Sequence, residues 1–227
     1  MGTELGVGAS DFDLATRLAT LFGCGETVAA ELAAAALVRR HATGATIVHQ
    51  GESCQRLMVL LEGHVRAAMV TMDGRVLQVA EHRPGDIFGG VDPSRDQAAG
   101  LTAAVPATIA SFATADFFAL AERHACVGVV LARAMVRQFG ALTQLVSARL
   151  TLSANGRVHA ELLRMAREQD GRWIRPLPVL SDLALRVQTA RETVSRAVSA
   201  LERRGIVQRH EEGLEIVAPA RLEALIV

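Results

Sequence analysis

Thr189-Ala190-Arg191-Glu192-Thr193-Val194-Ser195-Arg196 is the stretch on which the reading of this chain turns. From Arg191 to Arg203 the apolar residues Val194, Ala197, Val198 and Leu201 recur at helical spacing. Ser181 to Val187 reads as a shorter helix with Leu183, Ala184 and Val187 on one face, and Gln188 to Ala190 as a tight break between the two. Arg191, Glu192, Ser195 and Arg196 fall on the face opposite the apolar stripe. Two guanidiniums, a carboxylate and a hydroxyl near a helix N-terminus suit the major groove of DNA: arginine can take the O6 and N7 acceptors of guanine, and glutamate can accept from the cytosine amino group. A plainer reading competes with this one. Thr189-x-x-Glu192 also matches a capping box, in which the carboxylate only bonds backbone N–H groups at the helix start.

The surroundings favour the first reading. Arg203-Arg204-Gly205 ends the helix with basic residues and a glycine stop. Ile206 to His210 reads as a strand, Glu211-Glu212-Gly213 as a turn and Leu214 to Val217 as a returning strand. Helix, break, helix and two-stranded wing make a winged helix-turn-helix.

A chain of 227 residues is one large domain or two small ones, and half its residues are apolar. No uninterrupted apolar run reaches the roughly 20 residues of a spanning helix; Glu31 and Arg133 break the best candidates. Met1 to Asp13 has no basic segment ahead of an apolar one, so no signal peptide is read there and a cytoplasmic protein with no membrane partner is expected. Net charge is zero, yet residues 1–154 carry 12 arginines against 14 acids and residues 155–227 carry 12 against 10, the asymmetry expected if the C-terminal part faces DNA. The three cysteines Cys24, Cys54 and Cys126 are widely spaced and lack a Cys-x-x-Cys pair, which argues against a disulfide framework and against a four-cysteine cluster in one chain.

Asp11 to Arg40 looks helical in two pieces divided near Gly23 to Gly25. From Thr43 to Ala113 short strands alternate with glycine turns, the strongest being Asp73-Gly74, and no helices intervene; this predicts a small antiparallel barrel or jelly roll. A helix opens at Asp116, and a longer one is expected from about Val127 to Leu152. In it Ala132, Met135, Phe139, Leu142 and Val146 follow 3-4 spacing, a coiled-coil seam; Leu131, Val136 and Leu145 could pack on the barrel. Ser153 to Gly156 reads as a break and inter-domain hinge, followed by a helix from Arg157 to Gln169. The expected fold is therefore α+β. Residues 1–126 form N-terminal helices and a barrel sensor domain, 127–153 a dimerisation helix and hinge, and 154–227 the winged helix-turn-helix domain.

This order of parts resembles the CRP/FNR superfamily of bacterial transcription regulators over about residues 15–220. The likeness rests on Gly51-Glu52, Leu61-Glu62-Gly63-x-Val65, Asp73-Gly74 and Gly85-Asp86-Ile87-Phe88-Gly89 in the barrel. In the DNA domain it rests on Leu183-Ala184 and Arg191 to Arg196. The resemblance implies that Glu192 and Arg196 read a G·C pair in each half-site and that Thr193 contacts phosphate. Arg191 matches members preferring TGTGA-like half-sites and Ser195 those preferring TTGAT-like ones, so the shared GA core is the expectation. Arg209, in the wing, is expected to contact the DNA backbone.

The effector site departs from the family. Nucleotide-binding members carry Phe-Gly-Glu, whose carboxylate holds the ribose; here the segment is Phe88-Gly89-Gly90. Their Arg-Ser or Arg-Thr pair, which holds the cyclic phosphate, aligns with Gln97-Ala98, while Arg95 stands too early. Their adenine-contacting Thr-Ser pair aligns with Leu142-Thr143. An anionic nucleotide would lose its charge-assisted bonds, so cyclic AMP is not the expected effector. The carbon-monoxide-sensing branch places Cys and His haem ligands where Gly89 and Val91 stand, and the cluster-binding branch needs an N-terminal cysteine array that is absent. No cofactor or metal is predicted. Haem held by another of the seven histidines (His41, His49, His64, His82, His124, His159, His210) stays open, as do a thiol-based redox sensor, an apolar effector and regulation without a ligand. An enzyme on the barrel is the remote alternative: metal-dependent barrel oxygenases need a His-x-His pair, and Gly63-His64-Val65 has one histidine. The expected partners are double-stranded DNA, a second copy of the chain, an unidentified small-molecule effector and RNA polymerase.

Overall fold

The computed structural model describes residues 11–72, 74, 76–90 and 96–226; Asp73, Arg75, Val91 and Arg95 of the sequence reading lie outside them. Two helices, α1 (Asp11–Phe22) and α2 (Glu26–Ala35), lead into eight strands: β1 (Leu37–His41), β2 (Thr46–Val48), β3 (Arg56–Glu62), β4 (Val65–Val70), β5 (Val76–His82), β6 (Ile87–Gly89), β7 (Gly100–Ala103) and β8 (Ala107–Ala113). They form two four-stranded sheets, in the orders β1-β8-β3-β6 and β2-β7-β4-β5. This is the expected double-sheet barrel.

Side-chain alternation explains the layers. On β3, Leu57, Val59 and Leu61 face one way and join Ala110, Phe112 and Ile87 in a core shared with the helices. Met58 and Leu60 face the other way and pack between the sheets with Phe88, Ile109, Val65 and Leu101. Because both faces of β3 are covered, its apolar run is continuous rather than alternating, and Leu57 to Leu61 are all buried. Each such side chain contributes about 1.5–3 kcal/mol by leaving water. The register is Leu57 opposite Phe112 and Met58 opposite Ser111, with Phe88 across from Met58 on the other edge.

Strand β1 corrects the sequence reading, which extended the second helix to Arg40. Leu37 to His41 pair antiparallel with Ala107 to Ser111. An alanine-rich run reads as helix locally, but the sheet edge offers Leu37–His41 a ladder of backbone bonds that no local periodicity announces.

Beyond the sheets come α3 (Thr114–Arg123) and α4 (Ala125–Thr151). Phe117 of α3 meets Phe112 edge-on at 5.2 Å between ring centroids and Phe22 of α1 at 6.0 Å, tying the helices to the sheet. One face of α4 packs on this core through Val127, Leu131, Ala134 and Met135, and Gln138 donates to the Ile87 carbonyl. The opposite face stays open: Val136 is 72% exposed, Phe139 73% and Leu150 81%, with Val129, Leu142 and Val146 on the same stripe. Met135 thus lies against the barrel and Val136 on the open stripe, the reverse of the sequence expectation for these two positions. The most apolar 18 residues of α4 reach a mean hydropathy of 1.4, so by length and composition this helix could cross a membrane, although Arg133 had set the segment aside in the sequence.

The chain divides into two compact units within α4, between Ala141 and Leu142, with Val76 to Gln78 grouped with the second. That second unit contains α5 (Ala154–Arg167), β9 (Trp173–Ile174), α6 (Leu180–Val187), α7 (Arg191–Arg203), β10 (Val207–Arg209), β11 (Leu214–Ile216) and α8 (Pro219–Glu223). Its core joins Val158, Leu162 and Leu163 of α5, Leu183 of α6, Val194 and Leu201 of α7, and Ile216 and Leu222. The wing is three-stranded, in the order β10-β11-β9, one strand more than the two-stranded wing read from the sequence. The predicted break at Ser153 to Gly156 is also shorter than expected. Ser153 caps α5, its hydroxyl accepting from the Gly156 N–H at 3.0 Å, and Gly156 is buried within the helix.

Candidate nucleic-acid interface

Helices α6 and α7 are placed by their apolar faces. Leu183, Ala184 and Val187 of α6 and Val194, Ala197, Val198 and Leu201 of α7 are all buried together. The turn between them is held by backbone bonds, Thr189 N–H to the Ala184 carbonyl at 3.0 Å and Gln188 N–H to Leu185 at 3.4 Å. Gln188 takes the left-handed conformation, φ 51°, which a side chain other than glycine adopts at some cost. A residue that the sequence reading missed supports it. Arg157 on α5 donates to the carbonyls of Val187 (2.9 Å), Gln188 (3.3 Å) and Leu152 (3.1 Å). One guanidinium thereby joins the start of α5 to the turn that orients α7. Its distance in sequence from Val187 hides this role.

The polar face of α7 carries the residues singled out above. Arg191, Glu192 and Arg196 are exposed, while Thr193 and Ser195 are half-buried. The capping box does not form: the N-cap of α7 is Ala190, and no side chain caps the helix. Glu192 is therefore a solvent-facing carboxylate beside two solvent-facing guanidiniums, and among the described residues none of the three has an ion-pair partner within its own chain.

Between α7 and the start of α5 lies a groove of about 710 Å³, lined by Thr193, Arg196, Arg203 and Arg204 on one side and by Ser153 and His159 on the other. Three arginines and no acid line it. The N-terminus of α5 opens onto it, adding backbone N–H groups and the positive end of a helix dipole. The wing flanks α7. There Arg209 pairs with Glu202 at 3.1 Å, so its charge is already half engaged. Arg175 lies 4.0 Å over the Trp173 ring, which in turn meets His210 at 4.9 Å. These contacts add side-chain packing to the short pairing of β9 with β11.

The segment that the sequence reading took for a degenerate effector site lies in the barrel. Phe88 is buried and stacks on His82 at 4.4 Å, and burial lowers the His82 pKa despite the raising influence of Asp86 and Glu81. Gly90 is wedged against β3: a Cβ there would stand 1.6 Å from the Cys54 carbonyl oxygen. Its own carbonyl accepts from the Thr114 hydroxyl at 2.7 Å and its N–H donates to Arg56 at 2.9 Å. This backbone has no room for a glutamate. Gln97 is half-buried and exchanges backbone bonds with Gly51 and Glu52, and Ala98 is exposed. Leu142 and Thr143 are exposed on α4, past the division between the units. Among the described residues, no three His, Cys, Asp or Glu side chains converge as metal ligands would.

Known proteins share both halves of this arrangement. The family described as "Cyclic nucleotide-binding domain" matches residues 38–124, and that described as "Crp-like helix-turn-helix domain" matches residues 156–225. The chain belongs to the CRP/FNR superfamily. It is 25% identical over 191 residues to the cAMP-activated global transcriptional regulator Vfr of Pseudomonas aeruginosa, covering 79% of this chain and 87% of that one. With the cyclic AMP receptor protein of Thermus thermophilus the identity is 28%, over 82% and 87% of the two chains. A CooA mutant from Carboxydothermus hydrogenoformans superposes with a TM-score of 0.77 at 15% identity, over 92% of this chain and 95% of that structure. The protein is thus a CRP/FNR-type transcription regulator with a DNA-binding helix-turn-helix.

Proposed function

We propose that this CRP/FNR protein acts in the cytoplasm as a homodimer that binds an inverted repeat, each half-site carrying a GA core of the TGTGA or TTGAT kind. Glu192 and Arg196 read the G·C pair, Arg191 and Ser195 tune the flanking bases, and Thr193 contacts phosphate. The observation that carries this reading is the absence of a cap on α7, which leaves the Glu192 carboxylate presented beside Arg191 and Arg196. The arginine-lined groove at the start of α5 supports backbone contacts on the same side of α7. The exposed stripe Val136, Phe139, Leu142, Val146 and Leu150 supports pairing of two α4 helices, since so long an apolar strip is costly to leave in water. Such pairing suits an inverted repeat, because two-fold protein symmetry is mirrored in the operator.

Cyclic AMP does not fit. The relatives named as cAMP-activated do not settle the matter for this chain, because position 90 admits no side chain and Gln97 carries no charge. An effector of other chemistry, or none, suits the barrel. Competition binding tests the DNA reading: a selected inverted repeat should bind at least about 10³ times more tightly than random duplex at the same salt. Equal affinity for both would reduce the protein to a non-specific binder.

A further inference from the structure

Helix α7 carries a second polar stripe beside the one assigned to base reading. Thr193, Arg196, Ala200, Arg203 and Arg204 recur at spacings of three and four, so they share one helix face, and all five line the groove of about 710 Å³ that the start of α5 closes. Arg196 belongs to both stripes. Arg203 and Arg204 stand exposed about two turns further on, with the small Ala200 between. Among the described residues neither of these two guanidiniums has an acid or other acceptor. The acid next to them in sequence, Glu202, is held by Arg209 at 3.1 Å. Across the groove, Ala154 and Asn155 take the first two positions of α5, where a helix leaves its N–H groups without partners, and neither N–H meets an acceptor among the described residues. The N–H groups of Gly156 and Arg157, by contrast, are taken by Ser153 at 3.0 and 2.9 Å. The C-terminal end of α7 brings about half a negative charge, which two full positive charges outweigh.

We propose that this groove is a phosphate-binding site, in which Arg203 and Arg204 supply the charge and the backbone N–H groups of Ala154 and Asn155 supply further donors. Guanidinium and unpaired backbone N–H are the groups that hold phosphate oxygens most strongly, and no carboxylate in the groove competes with the anion. The cation that a phosphate needs, missing from the barrel at Gln97, is present here twice over. One chemistry has two sources. A backbone phosphate of DNA seated in the groove adds affinity without sequence information. This source rests on the reading of α7 as a DNA-binding helix. A free phosphorylated molecule is the other source, since the groove falls within the volume range of small-molecule sites, roughly 300–1,000 Å³. Such a molecule draws on Arg196 as well, and so competes with base reading.

Two arms test the site in the whole protein. Arg203→Gln/Arg204→Gln is compared with wild type and with Arg167→Gln/Arg172→Gln, which removes the same charge at the other end of α5. All four side chains are exposed, so both pairs should melt as the wild type does. In the first arm, binding to random and to selected duplex is followed over a range of salt. With one backbone phosphate in each groove, the slope of log K against log salt becomes shallower by about 0.9 per protomer in the groove pair, on both duplexes, and the selected half-site is unchanged. In the second arm, calorimetry with inorganic pyrophosphate and no DNA reads the free source. There the wild type and the control pair should bind with a Kd at or below about 1 mM, and the groove pair at least about tenfold more weakly. A changed slope alone assigns the groove to the DNA backbone, and pyrophosphate binding alone assigns it to a free phosphorylated ligand. The proposal fails if neither arm separates the groove pair from wild type, or if the control pair loses as much as the groove pair in both. A wild type without sequence preference, which would be the failure of the DNA reading, leaves both comparisons standing, because random duplex and pyrophosphate carry them.

Discussion

Arg157 Nε donates to the Val187 carbonyl at 2.9 Å, and the same guanidinium reaches Gln188 and Leu152. A residue in the first turn of α5 thus sets the turn from which α7 departs. Arg157→Met keeps the stem and removes all three bonds. It should destabilise the second unit by about 1–3 kcal/mol, the range for charge-assisted bonds lost from partly buried carbonyls. Arg157→Lys should recover less than half of this, because an ammonium cannot span three carbonyls as a planar fork does. Urea denaturation followed by Trp173 fluorescence measures both variants. Wild-type stability in Arg157→Met would show the contacts to be incidental.

The open stripe of α4 gives a second expectation. Phe139→Asp places a charge in the centre of the proposed seam, where burial without a partner is costly. Sedimentation velocity should then find monomers at concentrations where the wild type is dimeric. Met135→Asp is the informative contrast. Met135 packs on the barrel core, so its loss should lower the melting temperature as well. An intact Phe139→Asp dimer places the interface elsewhere.

Gly90 is a third case. A methyl there meets the Cys54 carbonyl, so Gly90→Ala should destabilise the barrel by about 1–3 kcal/mol, the usual cost of overpacking, and Gly90→Glu should not create a nucleotide site. Calorimetry of the wild type with cyclic AMP should show no heat of binding at micromolar ligand. Micromolar binding would mean that the barrel holds the nucleotide through other residues.

His82 gives the barrel a pH dependence. Burial lowers its folded pKa below the ordinary 6.5, with Asp86 and Glu81 opposing in part. The unfolded chain therefore binds the proton first. The stabilisation is fully present above about pH 7 and is lost as pH falls from 6.5 through the folded value. His82→Phe keeps an aromatic ring against Phe88 and removes the titration. Its melting temperature should fall less than that of the wild type between pH 7 and pH 5. Parallel falls in the two proteins would assign the pH dependence to other groups.

Much of this was legible in the sequence where local pattern and tertiary burial agree. Val194, Ala197, Val198 and Leu201 mark the buried face of α7 because helical spacing and the core select the same residues. The strands from Arg56 to Ala113 were legible for the same reason. Long-range pairing hid the rest. Leu37–His41 becomes strand only through its ladder with Ala107–Ser111, and Trp173-Ile174 only through β11. The division of labour between Met135 and Val136 depends on how α4 is rotated against the barrel, which 3-4 spacing alone leaves undecided. Gly156 looked like a breaker, but the Ser153 hydroxyl had already started the helix. The bonds of Arg157 to the Val187 and Gln188 carbonyls have no local signature.

In vitro selection of DNA sites by the wild type and by Glu192→Gln tests the central claim most directly. The wild type should enrich an inverted repeat whose half-sites lie roughly 34–36 Å apart, each with a G·C pair in a GA core. Glu192→Gln should relax the preference at that pair by about 1–3 kcal/mol, because the amide no longer offers the cytosine amino group a charged acceptor, while salt-dependent binding to random duplex persists. An enriched half-site identical in the two proteins, or no repeat in the wild type, would contradict the assignment of α7 as the reading helix with Glu192 and Arg196 at its centre.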